Sequence, residues 1–576
     1  MADPADQPST AIPSLAELQQ WTWVLGRAQQ MMMEQGFDLA EAMMPADTPA
    51  AAALGGAHDY WSDSIALWQR WLDPAAAAPP PAASDGDPRD RRFTAPAWRD
   101  DPLFDWIRRS YHLLAGRMLG EVDALADLPD RQREQLRFAT RALVDAISPA
   151  NFPLTNPEVI ERTIATNGQN LLDGLQHMLA DLARGQLTHS DGNAFELGRN
   201  LATTPGKVIK RTPLYELIHY APTTDTVLAT PLVIFPPWIN RFYILDLTPE
   251  KSFIRWAVAQ GISVFAVSWK SADATMKDVS WDDYVVAQAE VVETIRALLA
   301  VPAVHAIGYC VAGTTLAATL AWLAARGEAE QIASATFFTA QVDFAEAGDL
   351  AYFVDDDALA LIRAVSPEGF LDGRYMAATF NLLRGRDLIW SYVTNHYLLG
   401  RDYPPFDLLH WNADTTNLPL DWHLGYLTDL YRDNLLVQPG ALAIRGVPLD
   451  LSRVATPSYV QAGRDDHIAP AASVWSITRL FRGPMRFVLA GSGHIAGVVN
   501  PPAAGKYQYW TNDAPADTLD AFVAGATETK GSWWPDWSAW LRRHGDAMVP
   551  ATGARLPGEG TLPALGDAPG DYVRTR

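Results

Sequence analysis

The chain has a single cysteine, Cys310, among 576 residues. One thiol makes no intramolecular disulfide and no zinc site built from several thiolates, and it fits a reducing, cytoplasmic setting. Positive charge is also scarce, with 45 Lys and Arg against 67 Asp and Glu, a net charge of −22. Such a field disfavours nucleic acid and anionic lipid as non-specific partners, so an anionic substrate needs a local basic patch. The N-terminal MADPADQPSTAIPSLAELQQW lacks the basic and apolar regions of a signal peptide. No internal repeat is visible. Residues 297–325 contain no Asp, Glu, Lys or Arg, a run long enough to cross a bilayer. Pro302, His305, Gly308 and Gly313 interrupt it, so it reads as strand, tight turn and buried helix, and no transmembrane segment is expected.

What is plentiful is tryptophan, 21 residues in all. Large cores account for that number, and so does an apolar surface that meets something greasy. The composition, 48% hydrophobic and 19% charged, is that of a globular chain larger than one core. Residues from about 14 to 190 look helical. LAELQQWTWVLGRAQQMMMEQ and DPLFDWIRRSYHLLAGRMLGEVDAL place apolar residues at three- and four-residue spacing. Between them, residues 73–92, DPAAAAPPPAASDGDPRDRR, read as a flexible linker that closes a first segment, 1–92. A helical domain over 93–194 follows, punctuated by SPANFPLTNPEV.

From about residue 195 short apolar runs alternate with helices. PLVIFPP, GISVFAVSW, AVHAIGY and SATFFTA have the character of buried parallel strands, separated by WDDYVVAQAEVVETIRALLA and TTLAATLAWLAARG. The alternation predicts an α/β domain over 195–545. A helical, aromatic-rich stretch over 342–445 interrupts it before ATPSYVQAG and MRFVLAG resume the strands, and is expected to cap the active-site face. Residues 546–576 form a tail.

Gly308-Tyr309-Cys310-Val311-Ala312-Gly313 sits between a strand and a helix, the setting of a nucleophile elbow. The usual pattern is G-x-nucleophile-x-G, and here Ala312 stands at the second glycine. A lone buried cysteine is more often a small hydrophobe than a catalyst. Two later loops support catalysis. An α/β-hydrolase fold needs an acid after a later strand and a histidine after the last. RDDHIAP offers Asp465 and Asp466 after one run, and GSGHIAGV offers His494 after the next. An imidazole takes the proton of a thiol, whose free pKa is about 8.5, and a carboxylate on its far nitrogen fixes the tautomer. The oxyanion donors expected are the backbone N–H of Val311 and, from the Trp238-Ile239-Asn240 loop, that of Ile239.

At this point FPPWINRFYILDL, GYCVAGTTLA, LLHWNADTTNLP, GRDDHIAP, GSGHIAGVVNPP and GSWWPDWSAWL together resemble the class I polyhydroxyalkanoate synthases. TNPEV and AFELGRN fit as well, and the likeness runs from about Thr94 to Leu541. The resemblance implies an α/β-hydrolase fold with a helical cap, behind a mainly helical N-terminal domain. It implies an acyltransferase that polymerises (R)-3-hydroxyacyl-CoA, short-chain 3-hydroxybutyryl-CoA by the elbow and C-terminal motifs, into polyester with release of CoA. Cys310 is then the acylated nucleophile, His494 its general base and Asp466, rather than Asp465, the acid. His467 and Asn240 are candidates for supporting positions. The CoA thioester is the substrate, and no further cofactor or metal is implied. The partners implied are the growing polyester, its granule surface and a second copy of the chain. A cysteine-dependent thioesterase or polyester depolymerase shares this constellation, and a non-catalytic granule-coat protein is the alternative outside enzymes.

Overall fold

The structure, a computed structural model, describes residues 80–125 and 128–575, with residues 60, 62–64, 66, 67, 70 and 71 before them. The helix expected over 15–35 and the start of the linker, 73–79, lie outside the described residues. The chain divides into two compact units, one of residues up to Met178 with Trp390–Arg401, the other of Leu179–Ile389 with Asp402–Arg576.

In the first unit, helices α1 (Pro102–Asp123), α2 (Asp130–Ala146) and α3 (Pro157–Ala165) are followed by the start of α4 (Gln169–Arg184). Their boundaries follow from local chemistry. Asp101 accepts the Leu103 N–H with Pro102 at the first helical position, and Asn156 accepts the Glu158 N–H with Pro157 in the same place. A small core gathers Phe93, Trp98, Tyr111, Val144 and Ala150. Residues 80–92, expected as the end of a flexible linker, are instead packed in short turns. Ser84 is fully buried, the Asp85 carbonyl accepts from Arg108, and Arg92 pairs with Asp90 and Asp145 at 2.7 and 3.1 Å. The anchors are Phe93 and the arginines, which a composition dominated by Pro and Ala hides. Trp390–Arg401 also belongs to this unit, where Asn170 Nδ2 donates to the Leu398 carbonyl at 2.7 Å.

The second unit is built on an eleven-stranded sheet. Its strands are β1 (Gly206–Arg211), β2 (Tyr215–Tyr220), β3 (Leu232–Phe235), β4 (Val264–Trp269), β5 (Val304–Tyr309), β6 (Ile332–Phe338), β7 (Ser458–Gly463), β8 (Met485–Ala490), β9 (Gln508–Thr511), β10 (Thr527–Lys530) and β11 (Gly566–Asp567). The order is β10-β9-β8-β7-β6-β5-β3-β4-β2-β1-β11. β4, β3, β5, β6, β7 and β8 run parallel, and antiparallel strands extend the sheet at both edges. All six runs read as strands fall in the parallel part. Helices cover both faces, which is why β4, β5 and β7 are buried along their whole length. α5 (Phe253–Ala259) and α8 (Trp534–Arg542) pack on one face, and α6 (Trp281–Leu299) and α7 (Val311–Arg326) on the other. The interruption lies between β6 and β7. No helix among the described residues is long and apolar enough to cross a membrane.

Three buried histidines set a pH dependence. His219 stacks on Phe265 at 4.1 Å, His305 donates to or accepts from Ser334 at 2.8 Å, and His423 lies in the interruption. Burial holds them down at about 3, about 4 and about 4, with Arg555 adding to the effect at His219 and His544 at His305. The unfolded chain takes up these protons near pH 6.5 and the folded one resists, so stability is fully present above about 6.5 and falls as pH drops toward 4. The urea midpoint is expected to be lower at pH 5 than at pH 7, and His219→Phe to narrow the gap. A gap that His219→Phe leaves untouched counts against the assignment.

Candidate active site

Cys310 stands at the end of β5, one residue before α7, with φ 53° and ψ −126°. A side chain at positive φ costs about 1–3 kcal/mol and persists only where its surroundings over-determine it. The Cys310 N–H donates to the Phe338 carbonyl at 2.9 Å, and its own carbonyl accepts from Gly313 and Thr314 at 2.8 and 3.1 Å. The turn also needs strand and helix backbones in contact. A Cβ on Gly308 would lie 2.5 Å from the Gly313 Cα, and one on Gly313 would lie 2.4 Å from the Ala340 Cβ. The steric demand therefore falls on Gly308 and Gly313. Ala312 turns its methyl into the core, and its carbonyl accepts from Gln288 Nε2 at 3.0 Å, so the departure at that position leaves the elbow intact.

The acid and the histidine come from the loops after β7 and β8. Asp466 Oδ1 accepts the N–H groups of Ile468 and Ala469 at 2.8 and 2.9 Å, and Oδ2 meets His494 Nδ1 at 2.8 Å. Asp465 points away, with its side chain 62% exposed beside Arg464. The two loops touch closely, since a Cβ on Gly463 would stand 2.8 Å from the Ser492 carbonyl oxygen. From below, the buried tryptophans of the GSWWPDW segment brace the histidine loop. Trp533 Nε1 donates to the Gly497 carbonyl at 2.7 Å and Trp534 Nε1 to that of Val498 at 2.9 Å. Tyr309 O–H donates to the His494 carbonyl at 3.2 Å. These tryptophans are core, the plainer of the two readings of their abundance.

Burial alone pushes the His494 pKa down, but the Asp466 carboxylate and Cys310, each acting through charge and a hydrogen bond, outweigh it and raise it to about 10. Asp466 holds the imidazole and His494 shares a cavity wall with Cys310, the set of groups a general-base relay uses.

Asp466 is buried behind His494, and Cys310 and His494 border a cavity of about 300 Å³. Ile239, Asn240 and His467 all border it, so Asn240 and His467 stand in the wall itself. Val311 is the first residue of α7, where a backbone N–H has no intrahelical acceptor. Burial lowers the His467 pKa, helped by Arg384 and opposed by Asp466, so the ring is neutral at neutral pH. The interruption supplies the opposite wall through Phe380, Leu388, Phe406, Leu408 and Trp411. Trp422, in contrast, is fully buried against Trp238. Sequence reasoning missed Arg384 and Asp387, an ion pair at 2.9 Å bordering the same cavity. No local pattern marks them, because only the tertiary path of the interruption brings them there.

Residues 89–257 match the family described as poly-beta-hydroxybutyrate polymerase N-terminus, and residues 246–501 match the alpha/beta hydrolase fold. Among relatives, a poly(3-hydroxyalkanoate) polymerase subunit of Rhizobium meliloti is 44% identical over 91% of this chain and 84% of its own. The poly(3-hydroxyalkanoate) polymerase of Methylorubrum extorquens is 41% identical over 100% of this chain and 94% of its own. A polymerase subunit of Cupriavidus necator is 42% identical over 92% and 89%.

The elbow makes a direct prediction. Gly313→Ala is expected to lose about 1–3 kcal/mol of stability, because backbone and a packed methyl cannot yield, and to slow alkylation of Cys310 by iodoacetamide. Ala312→Gly keeps the alkylation rate and costs at most about 1 kcal/mol of helix propensity. Denaturation curves and thiol labelling of both variants check it.

Proposed function

The chain belongs to the poly(3-hydroxyalkanoate) polymerase family, and we propose that it joins (R)-3-hydroxyacyl units from CoA thioesters into polyester through an acyl-Cys310 intermediate. The observation that carries this reading is Cys310 and His494 together on the wall of a largely apolar cavity, with Asp466 bonded to His494 from behind. His494 takes the Cys310 proton, and the sulfur attacks the thioester carbonyl. The oxyanion is held by the N–H groups of Val311 and Ile239, and the CoA sulfur leaves with the proton from His494. One thioester replaces another at little cost in free energy, so the acyl group stays reactive. The 3-hydroxyl of an acceptor chain then gives its proton to His494 and attacks the acyl-Cys310 carbonyl, forming an oxygen ester and restoring the thiol. Asp466 stabilises the imidazolium in both halves. A thioester carries its own leaving group, so the transfer calls for no added cofactor.

Water competes with the hydroxyl at the second step, and the apolar wall from Phe380, Phe406 and Trp411 keeps it scarce. Arg384 is the cation at the cavity of a strongly acidic chain, and an anionic thioester shares it with Asp387, its partner at 2.9 Å. We include short-chain preference, granule association and a homodimer in the proposal. Exposed Leu172 and Leu175 on α4, in the first unit, are the feature that supports contact with an apolar polymer.

With 3-hydroxybutyryl-CoA, the protein is expected to release CoA and form insoluble polyester, and Cys310→Ala to release none. Free 3-hydroxybutyrate as the main product identifies a thioesterase instead, and undiminished turnover by Cys310→Ala removes the cysteine mechanism. Asp466→Asn is expected to cut the rate of CoA release by about 10²–10⁴, while Asp465→Asn leaves it unchanged. Equal losses in the two variants contradict the geometry.

A further inference from the structure

The residues after 545 have no part in the proposed chemistry, yet they are fastened with care. β11 pairs antiparallel with β1, aligning Gly566 with Val208 and Asp567 with Lys207. The N–H groups of Asp571 and Tyr572 both donate to Glu216 Oε2 at 3.0 Å, and Glu216 is fully buried on β2. The Tyr572 hydroxyl donates to the Thr212 carbonyl at 2.6 Å. Beyond this anchor the chain reaches Arg241, which is 2% exposed. Its Nη1 donates to the Tyr572 carbonyl at 3.2 Å and its Nη2 to the Thr575 carbonyl at 2.7 Å. Its Nε faces Asp414 Oδ1 at 3.5 Å, and Asp414 Oδ2 accepts from the Tyr243 hydroxyl at 2.9 Å.

Arg241 follows Ile239 by two residues. The stretch between β3 and the turn at Phe242–Leu245 belongs to no helix or strand, so long-range ties fix its course. On one side the interruption holds it. Thr416 Oγ1 donates to the Trp238 carbonyl, Asn240 bridges to Thr415, and Trp411 Nε1 donates to the Arg241 carbonyl at 2.7 Å. On the other side the hold is the Arg241 guanidinium on the tail. A buried guanidinium needs its acceptors, and two of them are carbonyls from the last turn of the chain.

We infer that the C-terminal tail positions the Ile239 loop through Arg241, and so sets the second oxyanion donor opposite Cys310. The inference rests on the proposed acyl transfer. An oxyanion donor acts only when placed to about 3 Å from the developing charge, and a misplacement of about 1 Å costs roughly 10²-fold. Alkylation of Cys310 by iodoacetamide passes through no oxyanion, so the two reactions separate loop position from the state of the thiol.

The test compares the full chain with Arg241→Met, Arg241→Lys and Glu216→Gln. Glu216 borders no part of the cavity and contacts the tail, so its effect reports transmission from the tail. The burst of CoA release from 3-hydroxybutyryl-CoA and the alkylation rate are measured on each. Arg241→Met is expected to slow the burst about ten- to a hundredfold, with alkylation at the wild-type rate. Arg241→Lys recovers part of the loss, and Glu216→Gln shows a smaller loss of the same kind. A wild-type burst in Arg241→Met, or a parallel fall in burst and alkylation across the variants, overturns the inference and leaves acyl transfer standing. Absence of any burst in the wild-type chain overturns both.

Discussion

The approach of Gly308 to Gly313 is the constraint on which the site depends. The β5 and α7 backbones meet there at a distance that excludes a Cβ on either residue, and Cys310 is bent to positive φ between them. About 1–3 kcal/mol of strain is small against the burial that fixes the two elements. β5 is buried throughout, and α7 is buried from Val311 to Leu323. Neither can retreat without opening the core on one face of the sheet. The strained thiol is thus held by the sheet and the helix behind it, and no contact in the cavity is needed to keep it in place.

The same device recurs along the strand ends. Parallel strands finish at one edge, and the loops after β7 and β8 carry Asp466 and His494 to the elbow. Gly463 permits the two loops to touch, and Trp533 and Trp534 pin the histidine loop from beneath. Each indole buries roughly 150–250 Å² and still places its N–H on a loop carbonyl. The C-terminal segment GSWWPDW thereby joins the core to the loop that carries His494, and its tryptophans are interior.

The parallel strands and the placement of Cys310, Asp466 and His494 after successive strands were legible in the sequence because both rest on local signals. Strands buried on two faces appear as unbroken apolar runs, and residues after such runs fall at the strand ends. The strands that extend the sheet carry no such signal. β10 is Thr-Glu-Thr-Lys and exposed along its length, and β11 is a Gly-Asp pair recognised only by its partner. Choosing Asp466 over Asp465 took a family resemblance, and only the structure shows the physical reason, two backbone N–H donors and an imidazole against open solvent. Ala312 departs from the usual motif because the pattern counts positions, whereas the turn counts contacts, and these fall on Gly313. Arg384, Asp387 and the Arg241–tail network were illegible for one reason. The Arg241–tail network joins residues far apart in the chain, and the neighbours Arg384 and Asp387 reach the cavity only through the path of the fold, which no window of sequence contains.

His494 must act twice under the proposed reaction, and its surroundings change between the two steps. In the free enzyme Asp466 and Cys310 together lift its pKa to about 10, which favours moving the thiol proton onto the ring. Once the sulfur carries an acyl group it has neither a charge to offer nor a hydrogen bond to accept as a thiolate does. The Cys310 share of the upward shift then disappears, while burial, which pushes the other way, remains. The imidazole then holds its proton less tightly, the direction in which a base must move for the next reactant, a hydroxyl far less acidic than a thiol. Asp466 alone then steadies the imidazolium that forms, from a carboxylate held by Ile468 and Ala469 that acylation does not touch. A thiol nucleophile thus gives one histidine a stronger hold on its proton before acylation and a weaker one after it.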